Sequence, residues 1–205
     1  MVFVKLRPLL PKRILAFAFA LLAASIVSCL ANPLLLQVKV TPYDNQMSRI
    51  RPILTSLNST GTENLSLTVV NHWIGDLRSI PYGFSMQWMT PAEVERGPVA
   101  DCKGKSVLLY HRMRARGAAN VRLVIGKRAP ASLLTHTWVE WTTRSVTYVL
   151  DPTINWSACS IRQIPSNSYV PYYVYAGAQK YRATEPVNLY AGLSHTSDEL
   201  LVAER

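Results

Sequence analysis

A chain of 205 residues suits one domain plus a leader, and 49% hydrophobic content with five Trp and ten Tyr supplies a packed core rather than a disordered polymer. The formal net charge of +10 favours anionic surfaces, but no zinc-finger or RNP1-like motif accompanies it, so no nucleic-acid partner is expected.

Residues 1–31 read as a leader. Lys5, Arg7, Lys12 and Arg13 form a basic start, no acid occurs before Asp44, and Ile14 to Val27 is an uncharged apolar run. That run is shorter than the ~20 residues of a full bilayer span and has the length of a signal-peptide core. Three ends are open. Ile26-Val27-Ser28-Cys29 resembles a bacterial lipobox, which would lipidate Cys29. Cleavage after Ala31 would release a soluble domain. With no charge between Arg13 and Lys39, the run would otherwise stay as a membrane anchor. Each reading puts the domain in the cell envelope, on the periplasmic side.

Residues 32–64 look like an N-terminal connector. Pro33, Pro42 and Pro52 interrupt it, a short helix fits Asp44 to Leu57, and Asn58 to Thr62 is turn-rich. A domain over residues 65–181 follows. Val70, Trp73, Ile74 and Leu77 recur at helical spacing between Leu65 and Ile80, and Pro81 ends that helix. His72 lies beside this stripe and reads as a surface or packing residue. After a loop, Thr90-Pro91-Ala92-Glu93 combines a capping residue, a first-turn proline and a capping-box glutamate. Asp101 is a good N-cap for a helix to Arg116, with Gly117 at its C-terminal end and Val107, Leu109, Tyr110 and Met113 facing inward. Asn120 to Lys127 alternates as a strand. Thr135 to Trp141 and Val146 to Leu150 form a hairpin around Thr142 to Ser145. Tyr169 to Tyr181 is a strand or strand pair with Gly177 as turn or bulge, and residues 182–205 form a tail. Helices followed by an antiparallel sheet make an α+β fold.

Cys102, His136 and Asp151 are the residues of a thiol nucleophile, its base and the base's orienter. Cys102 follows the cap, at the positive end of a helix dipole. Eight Lys or Arg and no acid lie between Cys102 and Val139, Lys103 and Lys105 nearest. A thiolate attacks where a thiol does not, so such surroundings favour it. His136 opens one hairpin strand and Asp151 ends its neighbour, about 5 Å away across the ladder. The Cys102 backbone N–H is one oxyanion donor, and Trp88 or Gln87 is the expected second. A competing reading pairs Cys102 with Cys159 in a disulfide, as export permits. A zinc site from Cys102, His136, Asp151 and Cys159 lacks any CxxC or HxxxH pair, and no GxSxG elbow supports a serine nucleophile.

The stretch from Val69 to Thr153 resembles the transglutaminase-like superfamily, and within it the bacterial transglutaminase-like cysteine proteinases. The matching pieces are Val70-Asn71-His72-Trp73, Gln87-Trp88-Met89-Thr90-Pro91-Ala92-Glu93, Ala100-Asp101-Cys102, Thr135-His136-Thr137-Trp138-Val139 and Val149-Leu150-Asp151-Pro152-Thr153. The resemblance implies a papain-like α+β core, with the Cys102 helix packed on a sheet carrying His136 and Asp151. It implies acyl transfer from a protein or peptide through a thioester, resolved by water (peptidase or amidase) or by an amine (transglutaminase). A non-catalytic binding module is the third reading. Relatives of this kind can require calcium, bound by acids flanking the nucleophile. Asp101 matches one such acid, but Lys103 stands where the second would be, so no cofactor is predicted.

Overall fold

The computed structural model of the chain describes residues 34–56 and 65–184. They form β1 (Leu35–Gln37), α1 (Arg51–Ser56), α2 (Leu67–Ser79), α3 (Pro91–Arg96), α4 (Cys102–Ala115), β2 (Val121–Lys127), β3 (His136–Thr143), β4 (Val146–Leu150), β5 (Cys159–Ser160), a 3-10 turn (Ile161–Gln163), β6 (Val170–Ala176) and β7 (Gln179–Ala183). These seven strands make one antiparallel sheet in the order β1-β7-β6-β2-β3-β4-β5. With the helices it is an α+β architecture. Among the described residues no helix is long and apolar enough to cross a membrane. The expected leader with Cys29, the Asn58–Thr62 loop and nearly all of the expected tail lie outside the described residues.

Central strand β2 is apolar on both faces because each face meets a core. Leu123 and Ile125 face the main core, with Val139, Trp141 and Leu150 from β3 and β4. The opposite face packs Val124, Trp138, Val149 and Val174 into a smaller cluster. The alternation follows from the period-2 geometry of a strand.

Helix α4 lies between the sheet and the other helices, against α2, α3, β2 and β3. Its inward stripe was expected, but burial extends all the way from Gly104 to Tyr110. A helix buried nearly all round needs small or satisfied residues on every face. Gly104 provides one: a Cβ there would meet Val94 Cγ2 at 3.0 Å. Ser106 donates to the Thr137 carbonyl at 2.9 Å. Tyr110 accepts from the Gly177 N–H at 3.2 Å, beside the β6–β7 turn, and donates to the Leu54 carbonyl of α1.

Several expectations change. The described part of the expected connector is built into the same unit. β1 pairs with β7, Met47, Ile50 and Leu54 join the main core, and Thr41 and Tyr175 share a 2.6 Å hydroxyl contact. Residues 34–56 therefore pack with residues 65–184. The helix expected over Asp44 to Leu57 is confined to Arg51–Ser56. Pro52 has no N–H to give and fits only a first turn, and turns occupy the residues before it. Strand β3 runs two residues past Trp141, because the hairpin turn is only Arg144-Ser145, with φ of 48° and 64°. Two-residue hairpins need such positive φ and usually take Asn-Gly, so these residues conceal the turn. Tyr169 to Tyr181 resolves into the pair β6 and β7, turning at Gly177 (φ 63°). Strand β5 was not expected at all.

The β2–β6 register shifts between Ile125 and Gly126. A Cβ on Gly126 would lie 2.1 Å from the Val170 carbonyl oxygen and 2.8 Å from Trp138 Cη2. Gly126→Ala is expected to destabilise the domain by about 1–3 kcal/mol, the usual cost of overpacking. Urea unfolding would read it as a lower midpoint at unchanged slope, and an unchanged midpoint would mean that β6 does not approach this closely.

Candidate active site

Asp101 sets the start of α4. Its side chain is fully buried. Oδ1 accepts from the Gly104 N–H at 3.0 Å, capping the helix. Oδ2 accepts from the Ser85 N–H at 3.2 Å and from the Lys103 ammonium. Cys102 follows as the first helical residue, half-buried, and both Cys102 and Cys159 are free thiols. Lys105, expected to add positive potential beside Cys102, is turned inward instead. Its ammonium donates to the Ile80 carbonyl, and burial, helped by the Arg78 charge and opposed by that of Asp151, lowers its pKa.

His136 and Asp151 meet as the hairpin geometry suggested. His136 Nε2 lies 2.7 Å from Asp151 Oδ2, and the Asp151 side chain has no exposure. Burial alone would discharge the imidazole. Hydrogen bonds to Asp151 and to the Cys102 side chain, reinforced by the charges of both, overcome it and raise the His136 pKa to about 9. Nε2 is committed to Asp151. The structure brings His136 and Asp151 together, and the Cys102 side chain is among the groups that raise the His136 pKa.

Asp151 is held by more than the histidine. The Thr153 N–H donates to Oδ1 at 3.0 Å, and the Tyr169 hydroxyl donates to Oδ2 at 2.9 Å. Burial opposes its charge, but these bonds and the imidazolium hold its pKa below the ordinary value. Tyr169 also receives the Asn155 side-chain amide at 3.3 Å and sets its ring edge-on to Trp138 at 5.3 Å. Burial and the Asp151 charge push the Tyr169 pKa up, which keeps it a donor. Arg78 reaches from α2 to the Thr153 and Ile154 carbonyls and stacks on Trp156, 4.6 Å from the ring centre. It fixes the loop after Asp151. Sequence reasoning missed Tyr169 and Arg78, because nothing local distinguishes either from a surface aromatic or a helix-end cation.

The two expected oxyanion donors differ. Trp88 is buried, and its indole N–H is a buried donor with no hydrogen-bond partner. Its neighbour Met89 packs on Gly104, in the first turn of α4. Gln87 is exposed, and its side-chain oxygen accepts from Arg49. His72 is on the surface beside Asp76, as expected. Among the described residues no group of three or more His, Cys, Asp or Glu side chains is placed to hold a metal.

No family model matches the chain, and no curated protein sequence matches it either. Among solved structures, calcium-bound LapG of Legionella pneumophila is similar at a TM-score of 0.51 and 14% identity, over 71% of this chain and 83% of LapG. EGTA-treated LapG from the same organism gives 0.50 at 13% identity, over 71% and 80%. At such identity the likeness is one of fold: the mixed helical and antiparallel-sheet architecture is shared with LapG.

The His136–Asp151 contact ties stability to pH. The His136 pKa is raised in the folded state, so its contribution is fully present below its unfolded value near 6.5 and is lost as pH rises through about 9. The Asp151 pKa is lowered, so its contribution is present above about 3.8 and is lost as pH falls through its folded value. Unfolding free energy from urea titrations should therefore decline from neutral pH to above 9, and His136→Gln should flatten that alkaline decline. An equal decline in both proteins would show that other groups cause it.

Proposed function

We propose that the chain is a transglutaminase-like cysteine peptidase or amidase in which Cys102 is the nucleophile, His136 the base and acid, and Asp151 the orienter. The observation that carries this reading is the His136 imidazole held 2.7 Å from a fully buried Asp151 carboxylate, with the Cys102 thiol among the groups that raise its pKa. Asp151 holds the ring through Nε2 and supports its positive charge. The Cys102 thiol gives its proton to Nδ1, and the thiolate adds to the scissile carbonyl carbon. The oxyanion is met by the Cys102 N–H and by the Trp88 indole N–H, a buried donor without a hydrogen-bond partner. His136 then protonates the leaving amine as the C–N bond breaks, which leaves a thioester. Water loses a proton to His136 and adds to the thioester, and collapse expels the Cys102 thiolate.

A protein or peptide substrate suits the surroundings. Leu133 and Leu134, just before His136, are 97% and 79% exposed, and Met86, just before Trp88, is 83% exposed. Exposed apolar side chains on the segments that carry a site mark a surface for an apolar partner. The leader read in residues 1–31 would export the domain to the periplasmic side, and lipidation of Cys29 would tether it there.

Alkylation of the Cys102 peptide by iodoacetamide, followed by mass spectrometry against pH, tests the central claim. Cys102 should react well below pH ~7, where an unperturbed thiol of pKa ~8.5 is protonated. His136→Ala should remove that low-pH limb. Cys102→Ala should abolish turnover of a peptide substrate. Trp88→Phe should lower kcat by about 100-fold or more with KM little changed, the signature of a lost oxyanion donor. Ordinary-thiol behaviour in the wild type would count for a binding module. Thioester resolution by an added amine, in preference to water, would count for a transglutaminase.

A further inference from the structure

Lys103 occupies the second position of α4, where the positive end of the helix dipole opposes a cation. Its ammonium is nevertheless drawn inward, and the side chain keeps only 16% exposure. It contacts the Asp101 carboxylate, donates to the Ser85 carbonyl at 3.0 Å and lies 5.0 Å from the centre of the Phe84 ring. An ammonium has three N–H donors. A carboxylate, a carbonyl and an aromatic face provide for all three.

The same pair holds Ser85 at both ends of its backbone. The Ser85 N–H goes to Asp101 Oδ2 and its carbonyl to Lys103. The Ser85 hydroxyl then donates to the Gln87 carbonyl at 2.9 Å, tightening the chain that leads into Trp88. Asp101 and Lys103 thus clamp the Trp88 segment to the end of α4 that carries Cys102.

The fold is shared with a protein seen calcium-bound, so the fit of a calcium ion beside Asp101 is a fair question. The residues present do not fit one. Calcium takes six to eight oxygens, largely from carboxylates and carbonyls. Here Asp101 Oδ2 and the Ser85 carbonyl already hold a fixed positive charge. We infer that Lys103 is a tethered cation: it positions the Trp88 segment against Cys102 and makes that arrangement independent of calcium. The inference rests on the reading of Cys102 as nucleophile.

The test uses the full-length chain, with thermal unfolding and Cys102 alkylation across pH measured in millimolar calcium and in EGTA. In the wild type neither condition should shift Tm or the alkylation profile. Lys103→Met should slow alkylation below neutral pH by about tenfold or more, as misplacement of reacting groups does, and calcium should not restore it. If Lys103→Met fails to fold, Lys103→Gln, which keeps an amide donor without the charge, reads the same quantity. A rise in wild-type Tm with calcium, a loss of alkylation in EGTA, or a folded uncharged variant with the wild-type profile would overturn the inference. A wild-type Cys102 that never reacts at low pH would instead remove the peptidase reading, while the calcium response of Tm would still decide whether Lys103 stands in place of the ion.

Discussion

A carboxylate with no solvent must be neutralised where it stands, and this chain buries two of them at its proposed site. An unanswered charge in a protein interior costs several kcal/mol and is ordinarily removed by protonation. Asp151 is answered by the His136 ring, the Thr153 N–H and the Tyr169 hydroxyl. Asp101 is answered by the Gly104 and Ser85 N–H groups and by Lys103. The partners come from the first turn of α4, from the segment before α3, from the start of β3, from the loop after β4 and from the residue before β6. Satisfying two carboxylates therefore ties together five separate parts of the chain.

The two clusters differ in what they hold still. The Asp151 group fixes a ring, and its positive partner is a histidine whose charge depends on pH. The Asp101 group fixes backbone: the start of α4 and the segment leading to Trp88. Its positive partner is a lysine, a compact point charge on a flexible stem that folds back two residues along its own chain. Burial of α4 from Gly104 to Tyr110 supplies the rigid support beneath both.

What was legible in the sequence was what depends on neighbours in the chain. Asp101 before a run to Gly117 announced α4, and Thr90, Pro91 and Glu93 announced α3, because caps act within one turn. The proximity of His136 and Asp151 followed from a hairpin, whose pairing is local. Tyr169 and Arg78 reach the site from elements far away in sequence, and only tertiary packing brings them there. The inward turn of Lys105 was hidden for the same reason: a lysine beside a cysteine looks like a surface charge until the Ile80 carbonyl arrives to receive it. β1 was concealed by prolines that read as a connector, and its pairing with β7 spans nearly the whole domain.

The placement of Tyr169 shows how backbone geometry serves side-chain chemistry here. Its φ is 53°, a left-handed conformation that costs a bulky residue about 1–3 kcal/mol and persists only where the surroundings over-determine it. Three contacts do so: its N–H to the Arg128 carbonyl at 2.8 Å, its ring against Trp138 and its hydroxyl on Asp151. The next residue, Val170, enters β6 with its carbonyl so close to Gly126 that no side chain fits between them. Gly126 is in turn the register partner of His136. A missing Cβ on β2 lets β6 begin tight against it, on the side of β2 opposite the histidine, and the chain turns through a left-handed residue just there, which carries the tyrosine hydroxyl onto the carboxylate bonded to the ring.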